Sequence, residues 1–369
     1  MSTTMTTHTA AGPTDFWAGI RLIIGLELRQ RVRGVAWYVL LGVFFVIVGL
    51  VTLLLWFATN AIDSGGGGMF STIIFFVLLL GSLVSPALSG NAINGDRETG
   101  VLATTQVTLT STWQLVLGKF VAAWLTALAF LAAALPFLLF AVVLGQVSIG
   151  TIAVSTLVLA LELGVIAAIG VGLSGIQTRP LFSIVTTYLV IAALSVGTPI
   201  LFGLAGLATQ STATNTSIDY NWDEQANGEA GDQWTCAAPV VMEYSVPRFD
   251  YYWGVLAANP YVVLADAAPG TFDDNGNPRD LFGWIAVAVR GAQHPPELNS
   301  VYDACADGLG PNDPRPNDYE TAEQIYNRSV PSWFVGLTVH LLLGAGALFW
   351  AVRRTDTPAK RLPTGSRVA

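Results

Sequence analysis

The chain has 369 residues, of which 53% are hydrophobic and only 11% are charged. Soluble domains carry about 25% charged residues, so this composition excludes an ordinary soluble protein and predicts an integral membrane protein. The formal net charge of −8 is unevenly distributed, because the acidic and basic residues concentrate in different segments.

Residues 1–34 precede the first long apolar run and contain a candidate amphipathic helix. Apolar residues recur there at helical spacing: Trp17, Ile20, Ile24 and Leu28. Thr14 or Asp15 can cap its start, and arginines cluster toward its end, where the helix dipole favours them. We expect this helix to lie in the inner headgroup layer of the membrane. A first spanning helix that extends into water is the alternative.

Six later segments reach the roughly 20 apolar residues that a spanning helix needs. They are Trp37–Phe57, Phe70–Asn91, Phe120–Leu144, Thr151–Ser174, Leu181–Leu207 and Trp333–Val352. We therefore expect an all-α membrane protein with five spanning helices in residues 35–207. A polar insert follows at 208–331, and the sixth helix with a basic tail occupies 332–369.

The basic residues orient these spans, because Lys and Arg near span ends stay in the cytoplasm. With the N-terminus inside, 12 of the 17 basic residues fall in cytoplasmic segments. The other five lie in the 208–331 insert, together with 18 of the 25 acidic residues. The pattern predicts a cell-membrane protein with both termini cytoplasmic and an acidic insert outside.

The insert contains both cysteines of the chain, Cys236 and Cys305. An oxidising exterior permits a disulfide between them, and two buried thiols are the alternative. Two apolar runs, Tyr252–Ala268 and Leu281–Arg290, suit re-entrant, interfacial or core helices. If both crossed the membrane, the protein would have eight spans with the same orientation of its termini.

A charged and then apolar segment, NGDRETGVLATTQVTLTSTWQLVLGK (Asn94–Lys119), follows the second span on the predicted cytoplasmic side. Gly100 permits a sharp turn. Apolar residues scattered after it indicate a short amphipathic piece, and a connector exposed to water has no need of them. We expect Gly118-Lys119 to mark the water boundary before the third span.

This segment resembles the cytoplasmic loop of type-2 ABC exporter permeases, which carries an E-R-E-x-G-T-L run and a later G-K. The residues that match the pattern are Arg97, Glu98, Gly100, Leu102, Gly118 and Lys119, and Asp96 replaces the first glutamate. Val101 replaces the threonine of the family, and Thr108-Leu109-Thr110 replaces its proline turn. The order of the interfacial helix, six spans and outer insert is also similar, although this insert is longer.

The resemblance implies that the Asn94–Lys119 loop is a coupling helix that sits in a groove of a cytoplasmic ATPase. It implies two copies of that ATPase and a second permease subunit, expected to be another copy of this chain, with export toward the outside. The chain has no GxxxxGK[ST] motif, so ATP and Mg²⁺ are expected on the partner. We expect this chain to need no cofactor or metal, to contact membrane lipid and to bind no nucleic acid.

Two other functions compete with the exporter. The run Gly172-Leu-Ser174-Gly175, together with His340 in the sixth span, fits the serine and histidine of rhomboid-type intramembrane proteases. However, about 1.5 Å per residue places Ser174 and His340 roughly 20 Å apart in depth. The other competitor is a membrane scaffold that transports nothing and whose outer domain binds a partner.

Glu162 and His340 lie inside predicted spans, where ionisable residues are expensive and are functional candidates by default. We expect Glu162 to be protonated or hydrogen-bonded to another span. The functional interpretation places both residues along a substrate path. A structural hydrogen bond inside the bundle is the alternative.

Overall fold

The computed structural model describes residues 15–62, 67–100, 111–219, 236–306 and 320–355. Helices account for 74% of the structure. Six helical segments are long and apolar enough to cross a membrane, which fits the predicted multi-pass membrane protein. They are Val35–Thr59, Gly68–Glu98, Thr112–Gly145, Ile149–Ile176, Pro180–Ala208 and Trp333–Thr355.

The described helices before the insert lie between residues 16 and 208. They are α1 (Phe16–Arg33), α2 (Val35–Ile62), α3 (Gly67–Ser89), the short α4 (Asn94–Glu98), α5 (Thr112–Gly145) and α6 (Ile149–Ile176). The fifth spanning segment consists of α7 (Pro180–Ala192), a π-helical turn (Ala193–Gly197) and α8 (Thr198–Ala208).

Helix α6 is the centre of the bundle and packs against α3, α5 and the last spanning helix, which runs from Trp333 to Thr355. Small residues make this close packing possible. A Cβ atom added at Gly172 would lie 2.5 Å from the Cβ atom of Ala347, and one at Gly175 would lie 2.6 Å from that of Ala351. Small residues at helix interfaces allow such close backbone approach inside membranes.

The third spanning helix begins earlier than the predicted Phe120. Ser111 and Gln114 form a capping box: the Gln114 N–H donates to Ser111 Oγ (3.3 Å), and the Ser111 N–H donates to Gln114 Oε1 (2.7 Å). This cap starts α5 at Thr112. Gly118 and Lys119 are therefore buried residues inside α5 and do not precede it.

Helix α1 forms in the predicted region, and one side of it packs against α5. Its buried residues are Gly19, Ile20 and Ile23, while Trp17 is 65% exposed. The reason is the close contact between α1 and α5: a Cβ atom added at Gly118 would lie 2.8 Å from the Cβ atom of Ile23. Asp15 makes no side-chain capping bond, and Thr14 lies outside the described residues.

The insert corrects the all-α prediction, because it contains a three-stranded mixed sheet. Strand β1 (Gln210–Ile218) pairs antiparallel with β2 (Val240–Pro247) and parallel with β3 (Asn299–Asp303). The β-branched and hydroxyl residues of β1 favour a strand. Cys236 and Cys305 are joined in a disulfide beside this sheet.

The apolar runs of the insert form short helices that pack on the bundle. They are α9 (Trp253–Ala257), α10 (Pro260–Ala267) and α11 (Leu281–Gly291), followed by α12 (Ala322–Arg328) and the last span, α13 (Trp333–Thr355). Val263, Leu264 and Phe282 belong to the same apolar core as the spanning helices. In the described part of the chain none of α9–α12 reaches spanning length, so it holds six candidate spans and not eight.

Candidate functional sites: the elbow and an intramembrane glutamate–histidine pair

The elbow, which we define as Asn94–Lys119, is fastened to the end of α6. The backbone N–H groups of Ile93 and Asn94 donate to Ser174 Oγ at 2.9 and 3.1 Å. The Arg97 guanidinium donates to Asn94 Oδ1 (2.8 Å) and to the Gln177 carbonyl oxygen (2.9 Å). A cation at the C-terminus of a helix is stabilised by the helix dipole. Arg97 therefore holds the elbow on α6.

Lys119 joins three segments of the chain. Its side chain is 3% exposed, and its Nζ atom donates to a carboxylate oxygen of Glu27 on α1 and to Asp96 Oδ2 (2.7 Å) on α4. Two carboxylates stabilise the desolvated ammonium group. Lys119 thus ties α1 and α4 to α5.

Further polar contacts hold α1 in place. Gln114 Nε2 donates to the Phe16 carbonyl oxygen at 3.1 Å. Arg31 Nη1 donates to Thr126 Oγ1 at 3.3 Å. Burial lowers the pKa of Arg31, and the nearby Glu27 carboxylate acts in the opposite direction. Helix α1 is therefore part of the same polar cluster as the elbow.

The predicted coupling residues divide into two groups. The first group is buried or half-buried and consists of Asp96, Arg97, Gly118 and Lys119. The second group, Glu98 and Gly100, is exposed. Gly100 has φ +75°, a left-handed conformation that only glycine adopts easily. Leu102 and the remainder of residues 101–110 lie outside the described residues. Among the described residues of the elbow, Glu98–Gly100 is an exposed stretch, which we call the elbow tip.

Glu162 and His340, predicted separately, are in direct contact. His340 Nδ1 lies 2.9 and 3.0 Å from the two carboxylate oxygens of Glu162. Each side chain is only 1% exposed. His340 Nε2 lies 2.8 Å from the carbonyl oxygen of Ala258 in the insert. The pair therefore links the middle of α6, the second turn of α13 and the insert.

Two adjacent residues of the insert, Ala258 and Asn259, contact both neighbouring spans, and we call them the Ala258-Asn259 junction. Asn259 Nδ2 donates to the Ser195 carbonyl oxygen (2.7 Å) and to Thr198 Oγ1 (3.0 Å). That carbonyl is available because Pro199, four residues later, has no N–H and its ring disfavours a regular helix. The π-helical turn before Pro199 thus provides an acceptor for the insert.

A buried ion pair adds a third attachment. Arg290 Nε donates to Asp266 Oδ1 at 2.6 Å, and its guanidinium lies 3.7 Å from the centre of the Tyr326 ring. Asp266 Oδ2 also accepts from Ser332 Oγ and from the Trp333 N–H, each at 2.9 Å. Asp266 therefore caps the N-terminus of α13 while it neutralises Arg290.

The contacts of Ser174 and His340 oppose the protease alternative. Ser174 Oγ accepts from the backbone of Ile93 and Asn94, and both ring nitrogens of His340 face Glu162 and Ala258. A catalytic serine needs a base within about 3 Å. In this structure the two side chains serve different parts of the bundle.

An apolar groove of about 600 Å³ lies between α3 and the fifth spanning segment. Its walls are mainly aliphatic and aromatic, with a few hydroxyl groups. The lining residues include Phe75, Phe76, Leu79, Ser82, Tyr188 and Ser195. Glu162 and His340 do not line it.

Two signals in the sequence indicated features that sequence reasoning missed. Ser111 and Gln114 have the S-x-x-Q spacing of a capping box, which predicts the early start of α5. Pro199 inside an apolar run predicts a carbonyl without its helical partner. The pairing of Glu162 with His340 had no such local signal.

This chain matches no protein-family model and no curated protein.

Proposed function

We propose that this chain is the transmembrane permease subunit of an ATP-driven ABC exporter. It would work with a second permease subunit, expected to be a copy of itself, and with two cytoplasmic ATPase subunits that bind ATP and Mg²⁺. On this proposal the protein lies in the cell membrane with both termini in the cytoplasm, and the insert faces outside.

The observation that carries the proposal is the construction of the elbow. Lys119 and Arg97 connect it to α1 and α6, its last residues form the start of α5, and Glu98–Gly100 remains exposed. A partner that pushes on such a tip would move three helices together. Those residues also carry the D-R-E-x-G-x-L and G-K pattern that resembles the coupling loop of exporter permeases.

The apolar groove beside α3 is consistent with this function. Ligand sites are commonly concave, predominantly apolar and supplied with a few polar groups that set orientation. A volume of about 600 Å³ falls within the usual range of about 300–1,000 Å³. An amphipathic or apolar substrate would suit these walls.

Cysteine labelling tests the orientation on which the proposal depends. The elbow tip receives a reporter with Thr99→Cys, and the insert receives one with Asn275→Cys; both positions are exposed. The two native cysteines are bonded to each other. A membrane-impermeant maleimide should label position 275 in intact cells and position 99 only in inside-out vesicles. Labelling of both positions from the same side would overturn the proposal.

Association with an ATPase tests the coupling role. The wild-type chain, purified from its native membrane, should bring with it an ATPase that carries a Walker motif. Glu98→Arg should abolish this association without changing insertion. Glu323→Arg is the matched control, because Glu323 is an exposed carboxylate of the insert. Absence of any such ATPase from the wild-type complex would contradict the proposal and favour a membrane scaffold.

A further inference from the structure

We infer that Glu162 and His340 form one proton-binding site, and that the proton held there fastens the insert to the last spanning helix. This inference does not depend on the exporter proposal. It follows from the hydrogen-bonding partners of a single buried imidazole ring.

Both ring nitrogens of His340 face hydrogen-bond acceptors. Nδ1 is 2.9 Å from a carboxylate oxygen of Glu162, and Nε2 is 2.8 Å from the carbonyl oxygen of Ala258. A neutral imidazole has one N–H donor and one lone-pair acceptor. If Glu162 is ionised and His340 is neutral, a lone pair of the ring must therefore point at an oxygen lone pair, whichever tautomer forms.

One additional proton removes this conflict in two ways. An imidazolium donates from Nδ1 to the Glu162 carboxylate and from Nε2 to Ala258. Alternatively, a protonated Glu162 donates to Nδ1, and the neutral ring donates from Nε2 to Ala258. Both forms hold the same number of protons and have no net charge, which suits two side chains that are each 1% exposed. Both forms also place a proton on Nε2.

Loss of the additional proton to bulk water breaks the contact with the insert. The pair then carries a net negative charge, and the remaining ring proton is favoured at Nδ1, beside the carboxylate. Nε2 becomes an acceptor that faces the Ala258 carbonyl oxygen. A buried carbonyl that loses its donor is destabilised, so the Ala258-Asn259 junction should separate from α13.

The surrounding packing makes this single contact important. A Cβ atom added at Gly336, one turn before His340, would lie 2.0 Å from the Ala257 carbonyl oxygen. The backbone of the insert therefore lies directly against α13 at this level. Asn259 attaches the same junction to the π-helical turn of the fifth span. A change at His340 Nε2 would thus reach both spans through two adjacent residues.

Other titratable groups on the helices packed against α6 and α13 are engaged elsewhere or distant. Within the described residues they are Lys119, Tyr188, Tyr261, Asp266, Arg353 and Arg354. Lys119 and Asp266 have their own ion-pair partners, and the Tyr188 hydroxyl donates to the Leu83 carbonyl oxygen. Tyr261 is next to Ser82. Arg353 lies 13 residues, or roughly 20 Å along the helix, from His340.

Nitrogen NMR of the full chain in lipid nanodiscs, with ¹⁵N-labelled histidine, tests the proton directly. The chain has three histidines, and loss of one signal set in His340→Asn assigns His340. We expect Nε2 of His340 to be protonated at neutral pH and to lose this protonation in alkaline buffer. An unprotonated Nε2 at neutral pH would overturn the inference.

Hydrogen exchange tests the consequence for the insert. Between about pH 5 and about pH 10, a range that contains the ordinary pKa of histidine, about 6.5, exchange of residues 253–268 should rise about tenfold beyond its chemical pH dependence. Glu162→Gln should abolish this rise. The glutamine amide donates to Nδ1, so the ring proton stays on Nε2 and continues to donate to the Ala258 carbonyl oxygen. Asp273→Asn removes an insert carboxylate that is not part of the pair and should behave as wild type.

Either of two exchange results would overturn the inference. One is a wild-type profile for residues 253–268 that follows the chemical pH dependence alone. The other is an undiminished rise in a folded Glu162→Gln variant. The wild-type measurement decides the question even if the variant does not fold.

Discussion

The two ends of the bundle are held by polar contacts of different kinds. At the insert end, Asp266 and Arg290 are 2% and 5% exposed, and Glu162 and His340 are each 1% exposed. At the elbow, Lys119 is 3% exposed, but its partners Glu27 and Asp96 have side chains that are 18% and 28% exposed. The insert is therefore attached by buried polar groups. The elbow is attached by ion pairs whose carboxylate partners remain partly exposed.

This difference indicates which end can move. Breaking a fully buried pair leaves an uncompensated charge and is strongly destabilising, whereas exposed pairs are weak and screened by salt. The insert end should behave as a fixed part of the bundle while its protons are in place. The elbow should shift at lower energy, as the proposed coupling role requires.

The largest expected loss of stability comes from a substitution at the insert end. Asp266→Asn leaves the Arg290 guanidinium buried without a counter-charge and removes the carboxylate that caps α13. Loss of one partner of a buried pair costs about 3–5 kcal/mol. Equilibrium unfolding in detergent micelles should show a loss of this size.

The control for this variant is Asp274→Asn, which neutralises an exposed carboxylate of the insert. It should leave the free energy of unfolding within about 0.5 kcal/mol of wild type. An Asp266→Asn protein as stable as this control would show that the attachment of the insert does not depend on the buried pair.

A smaller effect tests the close contact between the insert and α13. Gly336→Ala places a Cβ atom where the Ala257 carbonyl oxygen lies 2.0 Å away. Overpacking of this kind costs about 1–3 kcal/mol. A decrease in the free energy of unfolding should be accompanied by faster hydrogen exchange in α9 and α10.

Gly346→Ala is the matched control on the same helix, because a Cβ atom there meets nothing within 4 Å. Alanine is the better helix former by about 1 kcal/mol, so this variant should be neutral or slightly stabilising. Equal destabilisation by both substitutions would mean that the effect at Gly336 does not come from contact with the insert.

The elbow should respond more weakly than the insert end. Lys119→Met removes the cation between Glu27 and Asp96 but keeps an unbranched apolar stem in α5. The two carboxylates can rehydrate, so we expect a loss of about 1–2 kcal/mol, below that of a fully buried pair. Hydrogen exchange in α1 should increase, and the difference from wild type should shrink at high salt.

Arg354→Met serves as its control, because it removes an exposed cation from the last turn of α13. It should not change exchange in α1. A loss for Lys119→Met as large as that for Asp266→Asn would remove the proposed distinction between the two ends.

The sequence predicts the spanning segments well because each needs only a long apolar run. It also predicts α1, although not the contact of this helix with α5. That contact depends on Gly19 and Gly118, whose small size matters only once α1 and α5 lie against each other. The same limit applies to the sites.

Glu162 and His340 are each conspicuous in the sequence, but they are 178 residues apart and meet only through the packing of α6 on α13. Lys119 was noted in the sequence as part of a Gly-Lys pair, but its carboxylate partners Glu27 and Asp96 are brought to it only by tertiary structure. The sheet of the insert was missed because its strands are short and lack the long apolar runs by which the spans were recognised. Its helices were indicated by two apolar runs of insufficient length to cross a membrane.

The smallest expected effect concerns pH at the insert end, and it distinguishes burial from hydrogen bonding. Burial raises the pKa of Asp280, whose carboxylate accepts from the Gly283 N–H at the start of α11. The folded state therefore holds this proton more tightly than the unfolded state. Its contribution to stability is present below the ordinary pKa of aspartate and is lost as pH rises through the raised folded-state pKa.

Asp273 behaves oppositely, because a hydrogen bond from the Asn277 backbone N–H lowers the pKa of that carboxyl group. The stability that this ionised carboxylate contributes is lost as pH falls below the ordinary pKa of aspartate. The pH ranges in which Asp280 and Asp273 change the stability therefore lie on opposite sides of that ordinary pKa. Asp280→Asn keeps a residue type that caps helices well. It should remove only the loss of stability that occurs as pH rises above the ordinary pKa of aspartate. Unfolding curves measured across this acidic pH range test the assignment to Asp280. If the Asp280→Asn protein still lost stability as pH rises, the assignment would be contradicted, because another group at the insert end would be responsible.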